Sequence, residues 1–168
     1  MAKRLLIAVD GTQTSIAALR RAIDMAHGGG AALRLVHVID ETAVGWSERS
    51  SPRRLAIDSL AEAGDRILRA ALAMIRAAGH TASSTQLRRD RTAEGIGSLV
   101  AAEATRWGAD LILVGSSGRG PVYRALLGGV EAQLKRHALA PVLPVTLPRV
   151  VPTPRPQPAG TPGRLGLA

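Results

Sequence analysis

The sequence predicts an α/β domain, a parallel sheet with helices on both faces. Three observations carry this. Short apolar runs without alternation, such as Leu5-Leu6-Ile7-Ala8-Val9 and Leu111-Ile112-Leu113-Val114, read as strands buried on both sides. Between such runs lie segments whose apolar residues recur at helical spacing and stop at glycine. The two kinds alternate strictly over five strands and four helices, the order that builds a parallel sheet through crossover helices.

Residues 3–9 make the first strand, ended by Asp10-Gly11. Thr12 or Thr14 caps the next helix, where Ile16, Leu19, Ile23 and Ala26 share a face until Gly28-Gly29-Gly30. Residues 33–39, Leu-Arg-Leu-Val-His-Val-Ile, make the second strand. Residues 41–52 are polar, hold Gly45 and Trp46, and read as a loop. A long helix over 53–78 gathers Leu60, Ile67, Ala71, Met74 and Ile75 on one face and closes at Gly79. Residues 81–87 form a third strand despite Ser83 and Ser84, since Thr85 suits a pleated surface. The helix over 92–107 turns Ile96, Leu99, Val100 and Ala104 inward; Gly95 and Gly97 weaken its first turn and Gly108 ends it. The fourth strand, 110–114, leads into a glycine-rich segment, 115–120. A last helix over 126–138 faces Leu127, Val130 and Leu134 inward, and a last strand over 142–147 contains Pro144.

The chain has 168 residues, enough for one domain with its own core. That domain is expected over 1–147. Residues 148–168 hold six prolines, three arginines, no acid and few bulky apolar residues, the composition of a disordered or polyproline-like tail. Cysteine is absent, which excludes disulfides, thiolate metal sites and cysteine nucleophiles. No apolar run approaches the ~18–20 residues of a membrane span. The apolar run after Met1-Ala2-Lys3-Arg4 stops at Asp10, too soon for a secretory leader, so a cytoplasmic protein without membrane contact is expected. Basic residues outnumber acidic ones 22 to 13, a net charge of +9, and all but Lys3 and Lys135 are arginines. They are scattered, and Trp46, Trp107 and Tyr123 are the only aromatics, too few for a base-stacking platform. Association with nucleic acid is a minor reading beside that of solvated helix faces.

In a parallel sheet the ligand crevice lies at the carboxyl ends of the strands, where strand order reverses. The polar and glycine residues at those ends are Asp10-Gly11-Thr12, Asp40 and the segment Gly115-Ser116-Ser117-Gly118-Arg119-Gly120. Glycines let backbone N–H groups approach an anion, and a following helix start adds a positive dipole end. The segment is neither a Walker loop nor the dinucleotide fingerprint, so an anion cradle and a plain strand-to-helix turn both fit it. The four histidines lack metal-ligand spacing, and no Gly-x-Ser-x-Gly elbow occurs.

Gly115, two residues, Gly118, nine residues, Gly128 resembles the nucleotide-binding pattern of the universal stress proteins. Ile7-Ala8-Val9-Asp10-Gly11-Thr12 is similar to that family's first strand and aspartate turn, and Leu35-Val36-His37-Val38 to its second strand. Gly108-Ala109-Asp110-Leu111-Ile112-Leu113-Val114-Gly115 is similar to its fourth strand, and His137 with Pro141-Val142-Leu143 to its closing segment. The resemblance spans about 3–147. It implies a doubly wound five-stranded sheet in the order 3-2-1-4-5 and a stress-response regulatory protein. The implied cofactor is ATP or another adenine nucleotide, with Mg as its companion, and the implied partner is a second copy paired through the last strand. A protein partner of unknown identity is also implied. By position, Asp10, Gly11 and Thr12 would meet the ribose, Val38 would hold adenine with its backbone, and Gly115, Gly118 and Gly128 would wrap ribose and phosphates. Arg119, Gly129 and Val130 complete the set, and Arg124 is within sequence reach of a phosphate.

The chain departs from that pattern at its end. Gly129 stands where the family has Ser or Thr, and Glu131 where another small hydroxyl residue is common. A lost hydroxyl donor to a charged acceptor and an added acid both point to AMP or ADP over ATP. Pro144 has no N–H and removes a bond from any ladder through the last strand. No residue is identifiable as a catalytic base, so at most slow ATP hydrolysis is expected. The alternative function is a protein-interaction module of the same fold without ligand.

Overall fold

The apolar run Leu5-Leu6-Ile7 forms the centre of the sheet and is fully buried. The computed structural model describes residues 3–44, 51–92, 95–116 and 129–147. In chain order these form β1 (Arg4–Ala8), α1 (Gln13–Ala26), β2 (Ala32–Asp40), a 3-10 turn (Glu41–Ala43), α2 (Ser51–Ala77) and β3 (Ala82–Arg89). Then follow α3 (Ile96–Trp107), β4 (Leu111–Gly115), α4 (Val130–His137) and β5 (Val142–Val145). All pairings are parallel and the order is β3-β2-β1-β4-β5. The chain walks outward from β1 to β3, then returns to β4 on the other side, so strand order reverses between β1 and β4.

Alternation divides the apolar residues of the strands between two cores. Leu5, Ile7, Leu33, Leu35 and Leu113 pack with α1 and α2, while Leu6, Val36, Ile112 and Val114 pack with α3 and α4. The polar strand β3 lies at the edge, with Ser83 and Ser84 exposed. At the amino end of the sheet the buried Glu103 of α3 accepts from Arg34 Nε of β2 at 2.7 Å and from Arg106 at 2.7 Å.

Several elements differ in detail from the expectation. Thr12, and not Thr14, caps α1, its hydroxyl accepting from the Ser15 N–H at 3.2 Å. The buried seam of α2 runs through Ile57, Leu68, Ala71 and Ile75; Leu60 lies beside it, 37% exposed. Helix α3 starts at Ile96 and not at residue 92. Thr92 instead bonds the Asp90 carboxylate through its N–H and hydroxyl, at 2.9 and 2.6 Å. Gly97 has a positive use there: a Cβ would stand 2.6 Å from the Val130 carbonyl oxygen and 3.0 Å from the Leu134 nitrogen, so α4 crosses α3 at this residue. Gln133 Oε1 accepts from the Gly97 N–H at 2.8 Å and ties the crossing. Residues 126–128 of the expected last helix, and the tail 148–168, lie outside the described residues.

Strand β5 ends at Val145. Ile112 N–H donates to the Pro141 carbonyl and Ser116 N–H to the Val145 carbonyl, so odd-numbered residues of this strand bond inward to β4. Pro144 therefore directs its missing donor outward, the position an edge strand tolerates. Among the described residues no helix is long and apolar enough to cross a membrane.

Candidate functional site

The turn after β1 is built by its own side chains. Gly11 takes a left-handed φ of +80°, which favours glycine, and swings the chain into α1. Asp10 Oδ1 accepts from the Thr12 N–H at 2.9 Å and from its hydroxyl at 2.6 Å. Ser15 Oγ accepts from the Asp10 N–H at 3.3 Å and donates to the Thr12 carbonyl at 3.0 Å. Burial works against ionisation of Asp10. The bonds from Thr12, with those from Ser15 and from its own N–H, outweigh it and hold the carboxyl below its ordinary value of 3.8. Asp10 thus forms the turn with Thr12 and delivers a fixed carboxylate at the carboxyl edge of the sheet.

Beside this turn a cleft of about 140 Å³ opens between β1, β2 and β4. Asp10 and Gly115 lie at it, Val36 and Val38 contribute from β2, and Ile96, Val100, Val114 and Val130 give it apolar walls. A roomier groove of about 290 Å³ between α1 and α2 is lined by side chains such as Leu19, Ile67 and Met74. The smaller cleft is the one where a carboxylate and backbone polar groups converge on apolar walls, the pattern of a small-molecule site.

The backbone of Val38 enters the cleft for a register reason. The last rung between β1 and β2 is Val9 N–H to the Val36 carbonyl, at 2.9 Å. Backbone groups in a strand point alternately to its two neighbours, so Val38, like Val36, directs N–H and C=O to the β1 side. There β1 has already ended. Among the described residues no hydrogen bond from the Val38 N–H to the Val9 carbonyl forms.

Gly115 ends β4 against the first turn of α1. A Cβ on it would lie 2.5 Å from the Ser15 nitrogen and 2.8 Å from the Thr14 oxygen, so packing alone requires glycine there. Gly129 is the opposite case: it precedes α4 at φ −47° with no side-chain cap, and a Cβ on it meets nothing within 4 Å. Glu131, in the first turn of α4, accepts from Lys135 Nζ at 2.8 Å, so a cation one turn on offsets its charge. Gly118, Arg119, Arg124 and Gly128 lie outside the described residues. Of the residues singled out in the sequence, Asp10, Val38, Gly115 and Val130 come together at the cleft. Gly11 and Thr12 belong to the turn that fixes Asp10, and Gly129 adjoins Val130. Ser15, Ile96, Val100 and Val114 were not singled out as site residues. The signal for Ser15 was its place three residues after the capping threonine, and for Ile96 and Val100 their i, i+4 spacing.

The chain belongs to the universal stress protein family, whose model matches residues 1–146. It is 30% identical over 143 residues to a protein of Staphylococcus haemolyticus described as a universal stress protein, with 85% of this chain and 84% of that one covered. The structure of a family protein from Burkholderia pseudomallei superposes with a TM-score of 0.67 at 27% identity, covering 85% of this chain and 95% of that one. A universal stress protein solved in complex with cAMP gives a TM-score of 0.62 at 26% identity, with coverages of 85% and 96%. The fold is also shared by a family protein of Arabidopsis thaliana with AMP bound, at a TM-score of 0.61, 18% identity and coverages of 86% and 91%.

Proposed function

We propose that this protein is a stress-response regulator that binds an adenine nucleotide at the β1–β4 crevice and prefers AMP to ATP. The observation that carries the reading is the convergence, in one apolar-walled cleft at the switch point, of the fixed Asp10 carboxylate and the unladdered backbone of Val38. The cleft is smaller than the ~300–1,000 Å³ that engulfs a drug-sized ligand, so it takes the base. Val38 offers it one N–H and one C=O, which suit the ring nitrogen and amino group of adenine. Asp10 accepts from ribose hydroxyls. The phosphate then lies toward Gly115 and Gly129, the two described ends of the glycine segment.

The preference for one phosphate rests on Gly129. A serine or threonine hydroxyl there would donate to a terminal phosphate, an interaction worth about 1.5–3 kcal/mol with a charged acceptor. Because Lys135 pairs with Glu131, the missing donor matters more than the added acid. Calorimetry with AMP, ADP and ATP tests the reading. Micromolar or tighter AMP, weaker ATP and loss of both in Asp10→Ala are expected, and Gly129→Ser should tighten ATP at least tenfold while leaving AMP nearly unchanged. An absence of adenine-nucleotide binding overturns the proposal and leaves the interaction module as the function of the fold. ATP bound more tightly than AMP by the parent overturns the preference.

A further inference from the structure

We propose that His37 is a positioning residue: it captures the Val9 carbonyl, stops the β1–β2 ladder one rung early and so reserves the Val38 N–H for a nucleobase. The inference rests on the nucleotide reading above and goes beyond it by assigning a part in base recognition to the side chain that holds the Val9 carbonyl.

The register sets the problem. After Val9 N–H to Val36 C=O, the regular parallel ladder calls next for Val38 N–H to Val9 C=O. That rung is missing among the described backbone bonds. The Val9 oxygen instead lies 2.8 Å from His37 Nδ1, and since a carbonyl only accepts, Nδ1 carries the hydrogen. Alternation puts His37 on the face of β2 that holds Leu33 and Leu35, the α1–α2 side. The bond thus draws the Val9 carbonyl toward that side, out of line with the Val38 N–H.

The ring is held in this pose by α2. Gly64 lies over it: a Cβ at 64 would stand 2.5 Å from His37 Cδ2 and 2.9 Å from Nε2. Glycine is a poor residue for the interior of a long helix, and here its bare backbone lets the helix lie flat on the imidazole. Gln86 of β3 flanks the same spot and donates from Nε2 to the Ala61 carbonyl of α2 at 3.0 Å, fixing helix to sheet beside the ring. Three elements therefore converge on one histidine whose bond decides whether a strand ladder continues or a cleft opens.

The test reads the ladder and the ligand separately, using the full chain. Amide hydrogen exchange followed by NMR in the ligand-free protein should find Val38 exchanging rapidly, with Val36, inside the ladder, protected. In His37→Leu the donor is gone, the rung to Val9 closes, and Val38 exchange should slow at least tenfold. AMP affinity should fall at least tenfold in the same variant. Inosine monophosphate, whose N1 carries a hydrogen and cannot accept, should bind the parent weakly, and the AMP-to-inosine preference should shrink toward unity in His37→Leu. His37→Asn places an N–H near the Nδ1 position and should restore rapid Val38 exchange and AMP preference. A protected Val38 amide in the parent overturns the inference without any variant. So does parent-like exchange or parent-like base preference in His37→Leu. AMP binding that survives His37→Leu intact overturns this inference alone. An absence of AMP binding in the parent overturns the nucleotide reading, and with it the recognition role of Val38.

Discussion

Gly115→Ala adds one methyl group where β4 meets α1. The new Cβ would sit 2.5 Å from the Ser15 nitrogen and the Thr14 carbonyl carbon and 2.8 Å from the Thr14 oxygen, against an ordinary contact of 3.4–4 Å. All three neighbours are backbone, so no side chain can swing away. The first turn of α1 has to retreat by roughly 1 Å, an overpacking cost of about 2–3 kcal/mol. For a domain of this size that lowers Tm by roughly 4–12 °C. The same displacement separates Ser15 from Asp10 and Thr12, so nucleotide affinity should fall along with stability. Gly129→Ala is the control within the same glycine pattern: its Cβ meets nothing within 4 Å and its φ is ordinary, so the only cost is the roughly 0.5–1 kcal/mol by which alanine trails glycine as a helix N-cap, and Tm should fall by about 1–4 °C. Thermal unfolding of the ligand-free variants decides the matter. A Gly115→Ala protein that melts within 1 °C of the parent would refute the packing argument and return Gly115 wholly to ligand binding.

Asp10 and Asp40 both have depressed carboxyl pKa values; at Asp40 burial is outweighed by the bonds from Thr42 and the nearby Arg89. A depressed carboxyl stabilises the fold above its unfolded value and loses that contribution as pH falls through its folded value, so urea midpoints should drop on acidification below about pH 4. The drop should be shallower in Asp40→Asn. Pro144 removes one outward donor from the β5 edge of the sheet, two in a symmetric pair of edges, at about 1 kcal/mol each. Sedimentation should show a weak dimer that Pro144→Val tightens roughly tenfold or more; a parent monomer unchanged by the substitution would remove the edge-pairing model. Deleting residues 148–168, whose composition offers little apolar surface to bury, should leave Tm within 2 °C, and a larger loss would show that the tail packs on the domain.

Legibility from sequence followed the physics of each element. Leu5 to Val9 and Leu111 to Val114 declare themselves because burial on both faces leaves no alternation to misread. The edge strand β3 was the least distinct, since its exposed Ser83 and Ser84 carry no apolar signal. The glycines divide sharply. Gly11 could be read from its place after Asp10, because a tight turn is a local matter. Gly64 and Gly97 could not be read, because each is set by an element distant in sequence, His37 with Gln86 in one case and α4 in the other. Periodicity alone places Leu60 on the buried face, and periodicity does not reveal where the neighbouring layer ends. The strand-end argument points to Asp10 and the family pattern to Val38, whereas the histidine bond to the Val9 carbonyl beside Val38 is three-dimensional and leaves no spacing in the sequence.

The ion cluster at the foot of the sheet gives β2 a fixed datum. Arg34 is locked to Glu103 of α3, and Val38 stands four residues further along the same strand and on the same side, about 13 Å away at ~3.3 Å per residue. The strand therefore works as a ruler: its zero is set by a buried carboxylate at one end, and the mark that would read a base falls at the other. Taking away the carboxylate leaves the largely buried Arg34 without this counter-ion, a loss of up to about 3–5 kcal/mol, while Arg106, two-thirds exposed, stays solvated. A change at Glu103, one helical turn from Val100 in the cleft wall, thus reaches the gauge by which the cleft is measured out.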